Sequence, residues 1–334
     1  MPREAETFQF IADKGDSRLR LDRILLRRIT DITRLSRTMA QQWIADGAVQ
    51  VDGIEVHRPA SRVREGARVS VAVPASAPRR TRPEPEPAAL DVLFQDDALL
   101  VVNKPAGVVV HPSYKQTSGT MLNAVLWRLQ GSPQTTRPGI VTRLDKDTSG
   151  LVLIALAPAV HATLQRDAAA GRLEKRYLAV VAGVPRPQSG RIREPLGRDP
   201  LDRRRMQLSA DGAPSETLYS VLAQGPLRAS ADDGPHDQNR DDKRCALVMC
   251  TLVTGRTHQI RVHLASQRWP ILGDRVYGVS HPAIARQALH AWTLSLRHPV
   301  TGEQLGFEAP LPPDMQALIE AHGTMPATAP PSGL

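Results

Sequence analysis

Residues 139–155 read G-I-V-T-R-L-D-K-D-T-S-G-L-V-L-I-A, and no other stretch narrows the fold as far. Its end, residues 151–155, is short and aliphatic, which predicts a buried strand. Ile140 and Val141 form a second apolar segment just upstream, and between the two stand Arg143, Asp145, Lys146, Asp147, Thr148, Ser149 and Gly150. An unpaired carboxylate is costly to bury, so charge packed this densely between apolar segments must open into a cleft or be paired. Thr-Ser-Gly is also ordinary turn chemistry. The residues alone therefore leave two readings, a polar turn or an active-site loop carried on a rigid sheet.

The rest of the chain bounds what such a loop can serve. With 334 residues there is room for two or three domains and a sizeable core. Lys plus Arg is 43 against 34 Asp plus Glu, a formal net charge of +9. That balance fits a polyanionic partner, or an arginine-rich composition without meaning for binding. Two cysteines, Cys245 and Cys250, make no disulfide scaffold, and no Cys/His cluster has metal-ligand spacing. A reduced cytoplasm fits that usage. The first ten residues are polar, with Glu4 and Glu6, which is not signal-peptide text, and no apolar run approaches a membrane span.

Taken in order, residues 1–17 read as a loose arm. Leu19, Leu21, Ile24 and Leu25, then Leu35, Met39, Trp43 and Ile44, recur at helical spacing and predict two short amphipathic helices. Arg18, Arg20, Arg23, Arg27, Arg28, Arg34 and Arg37 crowd this stretch against Asp22 and Asp31. A strand at 48–51, Asp52-Gly53 as a two-residue turn, a strand at 54–56 and another at 68–73 follow. Residues 75–88 are proline-rich and read as an extended linker between domains.

The second domain, 89–322, opens with strands at 90–94 and 99–103, a Lys104-Pro105-Ala106-Gly107 turn, and a helix at 121–129 capped by Gly119-Thr120. After the central loop come a helix at 159–170 and a strand at 174–182. Residues 185–214 lack apolar periodicity and hold Arg198, Arg203, Arg204 and Arg205, a candidate basic loop over a cleft. Residues 225–244 read as an acidic insertion between two strands. A strand at 246–253 leads into T-G-R-T-H-Q-I-R-V-H, residues 254–263, where Ile260 and Val262 alternate with Arg261 and His263. A late strand alternates His290, Trp292, Leu294 and Leu296, and the tail 323–334 reads as disordered.

R-L-D-K-D-T-S-G, residues 143–150, resembles the signature loop of the ribosomal large-subunit pseudouridine synthases of the RluA/RluD type. That family's pattern reads H-R-L-D, and Thr142 stands here in place of the His. The resemblance extends through N-K-P-A-G-V-V-V-H-P at 103–112, E-K-R-Y-L at 174–178, the 254–263 segment and L-G-D-R-V-Y-G at 272–278. R-L-D-R-I-L at 20–25 and W-I-A-D-G-A-V-Q-V-D-G at 43–53 are similar to an S4-type RNA-binding domain, placed here at residues 18–74. The resemblance implies an α+β fold: the S4-like domain, then a catalytic domain built on a mixed, mainly antiparallel sheet with flanking helices.

It also implies the chemistry. Pseudouridine formation cuts the uridine N1–C1′ bond, turns the uracil and rejoins C5 to C1′, without redox change. Nothing in the chain calls for a cofactor or a metal, since no phosphate-cradling loop, dinucleotide fingerprint or metal cluster is present. The family's nucleophilic aspartate matches Asp145, its paired arginine Arg261, and the tyrosine that packs beside the base Tyr177. Arg143 becomes a wedge or phosphate clamp for the extruded base, or a structural salt bridge. Lys104, His111 and Thr148 are expected on the substrate side, and Arg18, Arg20, Arg34 and Arg37 on phosphates. The expected partner is structured RNA of the large ribosomal subunit (23S), bound by a cytoplasmic monomer. Rival readings are a tRNA-modifying member of the same family and a non-catalytic RNA-binding assembly factor, which would need no acid in the central loop. A glycoside hydrolase using Asp145 and Asp147 is a third, though two positions on one loop do not establish the carboxylate separation it needs.

Overall fold

The structure, a computed structural model, describes residues 6–17, 19–29, 35–74, 83–113, 116–131, 138–202, 204–227 and 244–323. Arg18 and Arg34 lie outside the described residues, as do Arg203, most of the 225–244 insertion and the tail from 324. The chain divides into two compact units, Met1–Arg82 and Pro83–Leu334.

The first unit holds β1 (Glu6–Ile11), α1 (Leu21–Arg28), α2 (Arg37–Ala45), β2 (Val49–Val51), β3 (Ile54–Glu55) and β4 (Arg68–Val73). Its sheet runs β1-β4-β2-β3 with antiparallel pairings. Leu21, Ile24 and Leu25 of α1 meet Ala40, Trp43 and Ile44 of α2 over Val49, Val69 and Val71, so the helical spacing of the apolar residues becomes one buried stripe. Ser36 caps α2 by accepting from the Met39 N–H at 3.2 Å. Asp52 and Gly53 both have left-handed φ, +52° and +84°, as a two-residue hairpin turn requires.

Two expectations for this unit are corrected. The arm is not loose throughout: residues 6–11 form β1, paired to β4, with Phe8 and Phe10 packed against the core on alternate positions. The arginines are also not all aimed outward. Arg20 and Arg37 converge on the buried Asp22 carboxylate with Gln41, and Arg27 and Arg28 bind Asp13 and the buried Asp16. Each arginine fork therefore satisfies a carboxylate while part of the side chain stays in solvent.

The second unit holds β5 (Asp91–Gln95), β6 (Leu99–Lys104), α3 (Met121–Arg128), β7 (Gly139–Ile140), β8 (Ser149–Ala155), α4 (Pro158–Ala169), β9 (Glu174–Ala182), β10 (Ser189–Ile192), β11 (Leu196–Arg198) and β12 (Met206–Leu208). It continues with β13 (Thr217–Pro226), β14 (Arg244–Leu252), α5 (Gln259–Ser266), β15 (Leu289–Arg297), β16 (Gln304–Glu308) and α6 (Pro313–Ala321). The main sheet runs β10-β13-β14-β9-β15-β8-β6-β5, with β16 on β15 and β7 on β8. The β8–β15 pairing is parallel and the others are antiparallel. This is the expected mixed, mainly antiparallel α+β fold.

β8 is buried along its whole length. Leu151, Leu153 and Ala155 pack toward Leu164 of α4, while Val152 and Ile154 pack toward Leu122 and Val125 of α3. That two-sided cover is why the sequence reads as an unbroken aliphatic run, and each fully buried aliphatic side chain contributes about 1.5–3 kcal/mol. Gly150 has φ +109°, and a Cβ there would sit 2.1 Å from the Ala291 carbonyl oxygen. The parallel junction thus requires glycine where the loop enters the strand.

The second half of the expected linker belongs to this unit. The Glu84 carbonyl accepts from the Asn123 side chain at 2.8 Å, and the Glu86 carboxylate accepts from the Gly119 N–H at 2.7 Å. Residues 225, 226 and 244, assigned to the insertion, are strand residues: Gly225 pairs with Cys245 and Pro226 with Arg244. The 185–214 region supplies the short strands β10, β11 and β12. Residues 259–266, whose alternation looked extended, are helix α5. Gln259 to Leu264 are all buried, and a helix covered all round shows no amphipathic period.

Candidate active site

The loop between β7 and β8 opens into a cleft of about 660 Å³, within the usual range for ligand sites. Its lining includes Arg143, Asp145, Thr148, Tyr177, His258 and Arg261. They come from a loop turn, the central sheet and the start of a helix. Asp145 and Thr148 share a turn, the Thr148 N–H donating to the Asp145 carbonyl at 3.1 Å. Tyr177 stands on β9, in the middle of the sheet. His258 and Arg261 sit at the N-cap and in the first turn of α5, three residues apart and so on one side of the helix.

Asp145 Oδ2 accepts from an Arg261 terminal N–H at 2.8 Å, and His258 Nε2 lies 3.8 Å from the same oxygen. Arg261 is buried, and its other donors grip Asp274 in bidentate fashion at 2.7 and 2.8 Å. Burial alone would weaken the Arg261 charge; Asp274 and Asp145 outweigh it and hold the pKa above the ordinary guanidinium range. Burial pushes the Asp274 carboxyl up, but Arg261 and the Val276 and Tyr277 N–H groups pull it below its ordinary value. The guanidinium is therefore fixed on two sides, and Asp145 faces a cation that cannot turn away.

The Asp145 loop is braced from beneath. Lys104 is 1 % exposed, and its ammonium donates to the carbonyls of Pro105, Val108 and Lys146 at 2.7, 2.9 and 3.0 Å. Burial pushes its pKa down to about 8. The expectation that Lys104 contacts substrate is corrected: its donors are committed to backbone. Arg286 donates to the Asp147 carbonyl and Gln287 to the Thr148 hydroxyl, at 3.3 and 3.1 Å. Thr148 is itself buried, so its hydroxyl serves the loop rather than presenting an open substrate contact. Thr142 accepts from the Leu153 N–H at 2.9 Å, closing the loop onto β8.

Arg143 is exposed at the cleft and makes no ion pair among the described residues, so the salt-bridge reading is not realised there. His111 is exposed and lines the same cleft. Tyr177 is buried, and burial together with the Asp145 charge pushes its phenol above the ordinary tyrosine value. Arg20 and Arg37 belong to the first unit and pair with Asp22.

Sequence reasoning missed His258, Asp274 and Tyr277 as parts of the site. Tyr277 accepts from the Met206 N–H at 2.6 Å and bonds His258 Nδ1 at 2.9 Å, while Arg261 and Arg205 lie over its ring at 5.0 and 5.4 Å. The available signal was a Tyr three residues after an Asp in a Gly-bounded turn, and a His three before the arginine.

A family model for RNA pseudouridylate synthases matches residues 98–266, and one for the S4 domain matches residues 34–69. The ribosomal large subunit pseudouridine synthase D of Zymomonas mobilis subsp. mobilis is 38% identical over 315 residues, covering 90% of this chain and 93% of its own. The chain belongs to the RNA pseudouridylate synthase family. An uncharacterized RNA pseudouridine synthase of Bacillus subtilis is 39% identical over 305 residues, covering 90% of this chain and 93% of its own. Among solved structures, human RNA pseudouridylate synthase domain containing 1 matches with TM-score 0.52 and 25% identity, covering 73% of this synthase and 100% of that chain. The synthase is thus an isomerase with an added RNA-binding module, which makes RNA its partner.

Proposed function

We propose that this synthase converts a small number of uridines to pseudouridine in the RNA of the large ribosomal subunit, with Asp145 as nucleophile. The observation that carries the site assignment is the Asp145–Arg261 contact at 2.8 Å, backed by the Arg261–Asp274 pair, in the cleft. The substrate class is supported by relatives named for the large subunit, such as those of Zymomonas mobilis and Nitrosomonas europaea. The N-terminal S4 domain extends the RNA footprint beyond one flipped base.

In this reading the target uridine leaves its stack and enters the cleft. Arg143, exposed at the rim, holds the phosphate or fills the vacated space, and His111 borders the same opening. The Tyr177 ring stacks on the uracil. With its phenol pKa raised, Tyr177 stays protonated at neutral pH, so it is not an anionic base. Arg261 fixes the Asp145 carboxylate for attack, and its grip on Asp274 keeps that geometry while charge moves. The protein acts as a cytoplasmic monomer and needs neither metal nor cofactor, because the reaction is a rearrangement of one nucleoside.

RNA tritiated at uridine C5 tests the chemistry, since rejoining at C5 releases that tritium to water. Asp145→Asn keeps the shape and removes the nucleophile. The expected result is no tritium release with melting temperature and RNA affinity retained; normal turnover by the folded variant would end the assignment. Pseudouridine maps of wild-type and deletion cells test the substrate: sites lost only from tRNA would overturn the ribosomal claim and leave the chemistry standing.

A further inference from the structure

Lys175 stands two residues before Tyr177 on β9, and in a strand such a pair shares one face. Both side chains line the cleft. The Lys175 ammonium lies against the 254–256 turn; a Cβ on Gly255 would be 3.7 Å from its Nζ. Among the described residues it has no hydrogen bond and no carboxylate partner, unlike its strand neighbour Arg176, which binds Glu174. Burial pushes its pKa down from 10.5, as expected of a cation partly removed from water without compensation.

The other cations of the cleft are differently placed. Arg261 is committed to Asp145 and Asp274, and burial, against the pull of Asp145, lowers the His258 pKa and favours its neutral form. Arg143 and Arg256 are exposed, with Arg256 bonded to the Pro214 carbonyl at 3.2 Å. Lys175 is thus a half-buried cation with an open coordination sphere, beside the ring that faces the base.

The reaction creates the matching anion. In the route taken here Asp145 attacks C1′: when the N1–C1′ bond breaks, both bonding electrons go to N1, and C1′ takes a new bond from an Asp145 carboxylate oxygen. The detached uracil then carries one negative charge, spread over N1, O2 and O4. It turns, C5 attacks C1′, the carboxylate is expelled, and the C5 proton passes to water. No electron or atom is left over. We propose that Lys175 is a catalytic residue that pairs with the negative charge on the detached uracil. This rests on the reaction proposed above. A preplaced cation in a site partly closed to water stabilises developing charge far more than one in bulk solvent.

The test uses the full chain and C5-tritiated RNA under single-turnover conditions. Lys175→Met is expected to slow tritium release by about 100-fold or more, with RNA affinity and melting temperature unchanged and Lys175→Arg losing less. Lys175→Cys is expected to fail likewise and to recover on treatment with bromoethylamine, which rebuilds an ammonium at that position. The native thiols will not compete, because Cys245 and Cys250 are buried and their pKa values are pushed up to about 11 and about 12. A Lys175→Met rate within about threefold of the parent overturns the proposal, as does a slowed Lys175→Cys that aminoethylation leaves slow. A weaker affinity and shallower salt dependence with an intact rate would make Lys175 a phosphate contact and also overturn it. If the parent releases tritium and the Lys175 variants match it, this inference alone fails; if the parent releases none, the reaction fails with it.

Discussion

Asp274 is a buried carboxylate, 1 % exposed, and its grip decides what Arg261 can do. Breaking a buried ion pair by neutralising one partner commonly costs about 3–5 kcal/mol, because the other charge is left uncompensated. Asp274→Asn is therefore expected to lose that much stability in denaturant at neutral pH, and to slow tritium release as Arg261 loses its second anchor. The pH dependence follows from the same pair. The folded Asp274 pKa lies below the ordinary 3.8, so the unfolded chain binds more protons as the pH falls past 3.8. Its contribution is complete above that value and is lost as the pH drops through the folded pKa. Acid titration of stability should accordingly be less steep in Asp274→Asn; parent-like stability and acid unfolding in the variant would show that the pair carries neither effect.

At the scale of elements, the loop before β8 is held by its carbonyls. Lys104 from the end of β6 joins the 105–108 turn to Lys146, Gly107 donates to the same Lys146 carbonyl at 2.9 Å, and Arg286 reaches Asp147 while binding Asp314 on α6. Lys104→Met keeps the aliphatic stem and abandons three carbonyls, which is expected to cost on the order of 3 kcal/mol. Single-turnover rate should fall with the loosened loop, while the salt dependence of RNA binding stays that of the parent. A shallower salt slope would instead mean that Lys104 meets phosphate, returning it to the substrate side.

At the scale of the whole molecule, the chain forms two units with separate cores. The fragment 83–334 is expected to fold alone and to bind RNA more weakly, with a shallower salt dependence, because the arginines of α1 and α2 are gone. An unchanged salt slope would remove those arginines from the interface. Cutting further, to 89–334, deletes Glu84 and Glu86 from the N-terminal end of α3, so this fragment should melt below the longer one. Equal melting temperatures would show that the two contacts contribute nothing. In the first unit, Asp22 and Asp16 are buried under arginines, so the RNA-facing charge is smaller than the count of arginines implies.

Local text determined the strands with unbroken or alternating aliphatics, the capped helices, the Asp-Gly hairpin and the charged loop at Asp145, because each depends on neighbours within a few residues. Motif resemblance added Arg261 and Tyr177, at positions the cleft does bring together. It could not assign Lys104, whose sequence context is that of a surface turn but whose ammonium is enclosed by the carbonyls of its own turn and of the distant Lys146. Nor could it reveal α5, since burial on all sides erases the period that marks a helix. The Asp145–Arg261–Asp274 arrangement spans contacts 116 and 13 residues apart, and His258 joins it only through the side of α5 that faces the cleft. Tertiary structure alone decided these, because a buried charge is defined by what encloses it, and no stretch of chain encloses itself.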